Sequence, residues 1–379
     1  MAKPIIAILG LGLRGASMGL ALQREEATFE IVGHDRDPQA TQAAKRSGAV
    51  HRTEWNLHNA CEGADMIVLA LPFAELEEML GHIAEDLKPG ALVFALVSLM
   101  QPTIDLADRL LPSHAHFVVG RPVLSGVGGQ LEQRADLFEE IVFALAPGLQ
   151  TEADAVQLAS DYVERVGATP FFVDAAEHDG IVAGVEQLPQ LLAAILMRQA
   201  SAAPGWREAR RLAGRQFAHA TELGQSAEQI LAALEPNRAN LLHRLRALHT
   251  EMEAWMQWLA GEPGSAARSA TAGPAGGSAA ESPAGQLPAG EAAAPTNGHV
   301  GRKATDKDGD TAADPLLKAL TEATRARADW ETSAILKKWE ELPQNDAPKS
   351  GESGFLRQMF FGNLMGRRGG DSRDRSDKR

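Results

Sequence analysis

Ile5-Ile6-Ala7-Ile8-Leu9-Gly10-Leu11-Gly12-Leu13-Arg14-Gly15-Ala16-Ser17 is the stretch that decides the fold. A short apolar run meets three glycines at turn spacing, and a helical pattern from Ser17 to Gln23 follows. A strand that feeds a tight turn and then a helix begins a βαβ unit suited to a dinucleotide. Gly10 permits the turn, Gly12 lets a pyrophosphate approach the backbone, and Gly15 lets helix and strand pack closely. Leu11, Leu13 and Arg14 complete the loop as candidate cofactor contacts.

A glycine pattern alone is a weak signal, but here a second strand ends at Asp35, 25 residues after Gly10. A carboxylate there accepts hydrogen bonds from an adenosine ribose, which points to NAD. Arg36 is adjacent and could pair with a 2′-phosphate, so NADP stays open as the alternative. Leu71 and Pro72, in Leu69-Ala70-Leu71-Pro72, stand where a later strand would deliver residues to the cofactor crevice.

Further predicted strands are Phe29 to Gly33, Met66 to Ala70, Ala91 to Leu96, Phe117 to Gly120, Ile141 to Ala146 and Thr169 to Val173. Helical patterns separate them, which predicts an α/β domain over 1–173 with a doubly wound, mostly parallel sheet. From 174 to 260 the pattern turns all-helical, with Ala175 to Ala200, Trp206 to Glu222 and Ala227 to Leu259. Residues 261–314 are dominated by Ala, Gly, Pro and Ser and read as a flexible linker. An amphipathic helix is expected over 315–342, then a mostly disordered tail over 343–379 that holds the short apolar cluster Phe355 to Met365.

The chain has 379 residues, 37 basic against 50 acidic, and a net charge of −13, which argues against a general affinity for nucleic acid or anionic membrane. Cys61 is the single cysteine, so an intrachain disulfide and a cysteine metal cage are both excluded and a cytoplasmic, reducing location is expected. No metal-binding spacing is found. Arg14 and the glycines interrupt the apolar start, which is not read as a signal peptide. No stretch approaches the roughly 20 unbroken apolar residues of a spanning helix.

Several strings resemble the prephenate dehydrogenase family, which includes arogenate dehydrogenases. They are Gly10 to Ser17, Glu177-His178-Asp179 followed by Leu188-Pro189, Gly205-Trp206-Arg207-Glu208-Ala209-Arg210-Arg211-Leu212-Ala213, and Asn237 with Leu241 and Leu242. The resemblance covers about residues 4 to 260. It implies a Rossmann domain, a helical dimerisation domain that makes a homodimer, and a site between them where NAD or NADP takes a hydride as a ring carboxylate leaves. It also implies that Arg211 binds a substrate carboxylate and that Ser98 bonds substrate or nicotinamide.

Three departures bear on the chemistry. The family's Gly-His-Pro, whose histidine bonds the substrate's ring hydroxyl, is here Gly120-Arg121-Pro122. Its Asp-x-x-Ser-x-Lys is Ala95-Leu96-Val97-Ser98-Leu99-Met100, and its Ser-His-Leu-Pro-His is Glu186-Gln187-Leu188-Pro189-Gln190. Arg121 cannot act as a base, because a guanidinium stays protonated, though with Arg211 it suits a dicarboxylate. Ser98 and Arg121 are therefore the candidate catalytic residues of an altered pocket. Two rival readings remain: a dehydrogenase for another carboxylated hydroxy acid, and a non-catalytic dinucleotide-binding protein whose tail docks an unknown partner.

Overall fold

The computed structural model describes residues 3–24, 28–124, 132–260 and 315–336. The linker 261–314, the end of the expected helix at 337–342 and the tail 343–379 lie outside the described residues. The chain divides into two compact units, one of Met1–Arg246 with Glu331–Arg379 and one of Ala247–Trp330.

Eight strands carry the first unit: β1 (Ile5–Leu9), β2 (Glu30–His34), β3 (Arg52–Thr53), β4 (Met66–Leu69), β5 (Leu92–Leu96), β6 (His116–Pro122), β7 (Val142–Pro147) and β8 (Thr169–Phe172). They form one sheet in the order β3-β2-β1-β4-β5-β6-β7-β8. Every pairing is parallel except that of β6 with β7. This is the doubly wound sheet expected. The two-residue β3 was not foreseen, since Arg52-Thr53 offers no apolar run to read.

Alternation along each strand feeds two cores, one on each face of the sheet. Ile6 and Ile8 join Phe94, Phe143 and Tyr162 on one side, while Ala7 and Leu9 join Ile67, Leu80 and Phe117 on the other. The first face is covered by α1 (Leu13–Leu22) and α6 (Ala153–Arg165), and Tyr162 meets Phe94 edge-on with ring centroids 5.4 Å apart. The second is covered by α4 (Phe73–Ile83) and α5 (Gln101–Leu110); α2 (Pro38–Ser47) and the short α3 (Leu57–Cys61) complete the α/β part.

The helical region begins with α7 (Ala175–Val182), a π-helical turn (Ala183–Gln187) and α8 (Leu188–Ala202), which form one continuous helix. This 28-residue helix is long and apolar enough to cross a membrane by length and composition alone, although Glu177, Asp179, Glu186 and Arg198 leave it no unbroken apolar run of the expected spanning length. Its polar residues are nevertheless engaged within the fold: Asp179, Glu186 and Gln187 all bond to other elements. The expected helix over Trp206 to Glu222 is divided into α9 (Trp206–Leu212) and α10 (Arg215–Ala220), with extended Gly214 between them. Pro236 lacks an N–H, and a 3-10 turn at Glu235–Asn237 accordingly separates α11 (Ala227–Leu234) from α12 (Arg238–Leu259). In the second unit Trp255 and Trp258 pack at 6.1 Å, and α13 (Pro315–Leu336) carries Arg327 over the Trp330 ring.

Burial and the neighbouring Asp86 push the Cys61 thiol up to about 12. The folded protein should therefore leave Cys61 unlabelled by a thiol reagent at neutral pH, with one equivalent reacting on denaturation; fast labelling of the native protein would contradict the packing around α3.

Candidate active site

The carboxyl ends of β1, β2, β4, β5 and β6 deliver the sequence-predicted residues to one edge of the sheet. Register makes this so: Leu9 pairs with His34 and Leu69, Leu69 with Ala95, and Leu96 with Gly120. Gly10, Asp35, Ala70 and Ser98 thus follow their strands, and Arg121 lies near the end of β6, at the same edge, where open α/β sheets bind ligands.

Gly10 takes φ +91°, and a Cβ on it would sit 2.6 Å from the Ala70 carbonyl oxygen. A Cβ on Gly15 would come within 1.9 Å of the Gly10 oxygen, whereas one on Gly12 would meet nothing within 4 Å. Two glycines are thus required by the protein's own packing, and the third faces open space at the start of α1. That is the arrangement in which a backbone receives a pyrophosphate at a helix N-terminus. Leu71 packs against Gly10, and Pro72 stands exposed at the N-cap of α4.

Asp35 braces the loop. Its Oδ2 accepts the Leu11 N–H at 2.6 Å and its Oδ1 accepts the Asp37 N–H at 2.8 Å, which leaves further lone pairs for a ribose. Arg36 turns away toward α4, with guanidinium nitrogens 3.7 Å from Glu75 and 3.2 Å from Glu78.

At the other end of the crevice Glu186, from the π turn, joins two of the predicted residues. Its Oε1 accepts the Ser98 hydroxyl at 3.1 Å, and its Oε2 pairs with the Arg121 guanidinium. Arg14 belongs to the same electrostatic group: burial lowers its pKa, Glu186 opposes the shift and Arg121 adds to it. Arg14 makes no ion pair among the described residues. Glu186 is the residue that sequence reading missed, since it registered there only as a lost serine. Arg211 is exposed on α9 without an ion-pair partner among the described residues, and no described contact joins it to Ser98 or Arg121.

Asp179 fixes this geometry. Its carboxylate accepts the Met100 N–H at 2.8 Å and the Gln101 N–H at 2.9 Å, so α7 is pinned to the start of α5, immediately beyond Ser98. His178 lies 3.1 Å from the same carboxylate, and Asn237 donates to the Asp179 carbonyl and to Gln187. His114 bonds the Leu87 carbonyl, and His116 opens β6 at the end remote from Arg121, so neither reaches the crevice.

Strand, glycine loop and acidic brace define a nucleotide-binding domain of the doubly wound class. Residues 18–171 match the family model "Prephenate dehydrogenase, nucleotide-binding domain". The prephenate dehydrogenase of Bacillus subtilis is 28% identical over 52% of this chain and 54% of its own length. That of Lactococcus lactis is 31% identical over 51% and 53%. The chain is similar to prephenate dehydrogenases through its nucleotide-binding region and spans about half the length of these curated relatives. The Aquifex aeolicus prephenate dehydrogenase solved with hydroxyphenyl propionate and NAD+ shares the fold at a TM-score of 0.66 and 16% identity, over 87% of this chain and 99% of that one.

Removing the Asp179 carboxylate would strand two backbone N–H groups. Asp179→Ala is expected to destabilise the protein by about 3 kcal/mol in chemical denaturation; a loss under about 0.5 kcal/mol would show that α7 is held by other contacts.

Proposed function

We propose that the protein is an NAD-dependent dehydrogenase that acts on prephenate or arogenate in tyrosine biosynthesis. The observation that carries the reading is the open backbone at Gly12 between the N-terminus of α1 and the Asp35 carboxylate, at the edge where Ser98 and Arg121 also emerge. In this reading Gly10 to Gly15, Asp35, Leu71 and Pro72 hold the dinucleotide, which supplies a hydride acceptor when bound. NAD is favoured over NADP because Asp35 is tied to Leu11 and Asp37, and because Glu75 and Glu78 occupy Arg36 and add negative charge where a 2′-phosphate would sit.

The substrate is a small carboxylate. Arg14 and Arg121 against Glu186 leave one net positive charge beside Ser98, which suits an anion in an otherwise acidic chain. Arg211 serves as a further carboxylate ligand. The expected homodimer would form through the helical region, where Ile181, Val185, Ile195 and Leu196 are exposed along one helix. A cytoplasmic location goes with this pathway. The arginine at the family's histidine position favours a second reading, a dinucleotide-binding protein without turnover.

Steady-state assays with prephenate and arogenate decide between these readings. Turnover with NAD at least about tenfold above that with NADP is expected, and a Glu75→Gln/Glu78→Gln double variant should narrow the preference. Cofactor binding with no turnover of either substrate would favour the second reading. Val185→Asp should shift a light-scattering mass from dimer toward monomer, whereas an unchanged mass would remove that face from the interface.

A further inference from the structure

We propose that Glu186 is the catalytic acceptor for the substrate's ring hydroxyl, taking the place that histidine holds in the family pattern. The inference rests on the dehydrogenase reading above. Oxidation at a carbon bearing a hydroxyl requires an acceptor for the hydrogen of that O–H group. Arg121 is a donor only, Arg14 is a donor only, and the Ser98 hydroxyl already donates to Glu186. In this group Glu186 alone offers acceptors without donors.

The geometry points the same way. Ser98 and Arg121 take different oxygens of the carboxylate, so its orientation is fixed from the ends of β5 and β6 while each oxygen keeps a free lone pair. The Glu186 side chain is 43% exposed, against 18% for Arg121, so the carboxylate is the more accessible member of the pair. Glu186 also sits in the π-helical turn Ala183–Gln187. Such turns are rare insertions in α-helices and recur at functional sites, where they re-aim a side chain. Here the turn follows the Asp179 anchor directly, so its start is fixed relative to Ser98.

The proton balance closes. As the hydroxyl carbon gives up its hydride pair to the oxidised nicotinamide dinucleotide, the O–H bond breaks and a Glu186 oxygen holds the proton. Once the ring carboxylate leaves as carbon dioxide, its bonding pair reaches the ring oxygen, and Glu186 returns the proton to that phenolate. No proton is gained or lost overall. Arg121 is then a positioning residue that acts through Glu186.

The test compares wild type, Glu186→Gln and Glu186→Asp by calorimetry with 3-(4-hydroxyphenyl)propionate and 3-phenylpropionate, with and without NAD, alongside kinetics. Wild type should bind the hydroxylated analogue about tenfold or more tighter, and Glu186→Gln should bring the ratio to within about threefold while leaving phenylpropionate affinity in place. Its kcat should fall about 10² to 10⁴-fold with little change in KM, and NAD affinity should hold. Glu186→Asp keeps the charge, shortens the reach and should fall between the two; it replaces the glutamine variant should that one fail to fold. An unchanged ratio in the variants, equal binding of both analogues by wild type, or tighter binding of both by Glu186→Gln would overturn the role, the last marking Glu186 as a mere counter-ion of Arg121. Absence of turnover in wild type would instead overturn the dehydrogenase reading, and the binding ratio would still decide what Glu186 does.

Discussion

One buried carboxylate decides where the helical region meets the sheet. Asp179 accepts the Met100 and Gln101 N–H groups at the start of α5, groups that would otherwise end a helix without partners. The bonds are charge-assisted and at least partly buried, so they are costly to break and they hold α7 in place. The π turn that follows then brings Glu186 to Ser98 and Arg121 across the crevice. Asn237 extends the same network to the 3-10 turn before α12.

The opposite end of the crevice is governed by a second carboxylate under a different constraint. Asp35 is partly exposed, yet both its oxygens are engaged by backbone N–H groups, one of them in the glycine loop. The loop is thus preorganised before any ligand arrives, which lowers the ordering entropy of binding. Between the two carboxylates the chain reverses its overall charge. A molecule of net −13 gathers Arg14 and Arg121 around one glutamate, a local excess of positive charge set against the general field.

The fold was largely legible because strand and helix periods are repeated signals. All seven predicted strands differ from the observed ones by no more than two residues at either end, and the glycine loop carried its own reason for every glycine. Breaks were less legible: Gly214 and the 3-10 turn at Pro236 interrupt patterns whose apolar spacing continues through them. Ser98 and Arg121 were found by comparison with the family's motifs, and the structure brings both onto Glu186. That glutamate was hidden because a comparison of motifs records it as a missing serine, and because a π turn leaves no periodic trace in so short a segment. The value of Glu177-His178-Asp179 lay in its third residue, whose partners are backbone groups that no side-chain pattern announces. Arg211 remains a family-derived assignment on an exposed helix.

The central claim is that one crevice joins a nucleotide loop at Gly12 to a hydroxyl acceptor at Glu186. A crystal structure with NAD and 3-(4-hydroxyphenyl)propionate tests it most directly. The account predicts the pyrophosphate against the backbone at Gly12, the ribose on Asp35, and the phenol oxygen within hydrogen-bond distance of the Glu186 carboxylate. A dinucleotide bound elsewhere, or a phenol turned from Glu186 toward solvent, would contradict it.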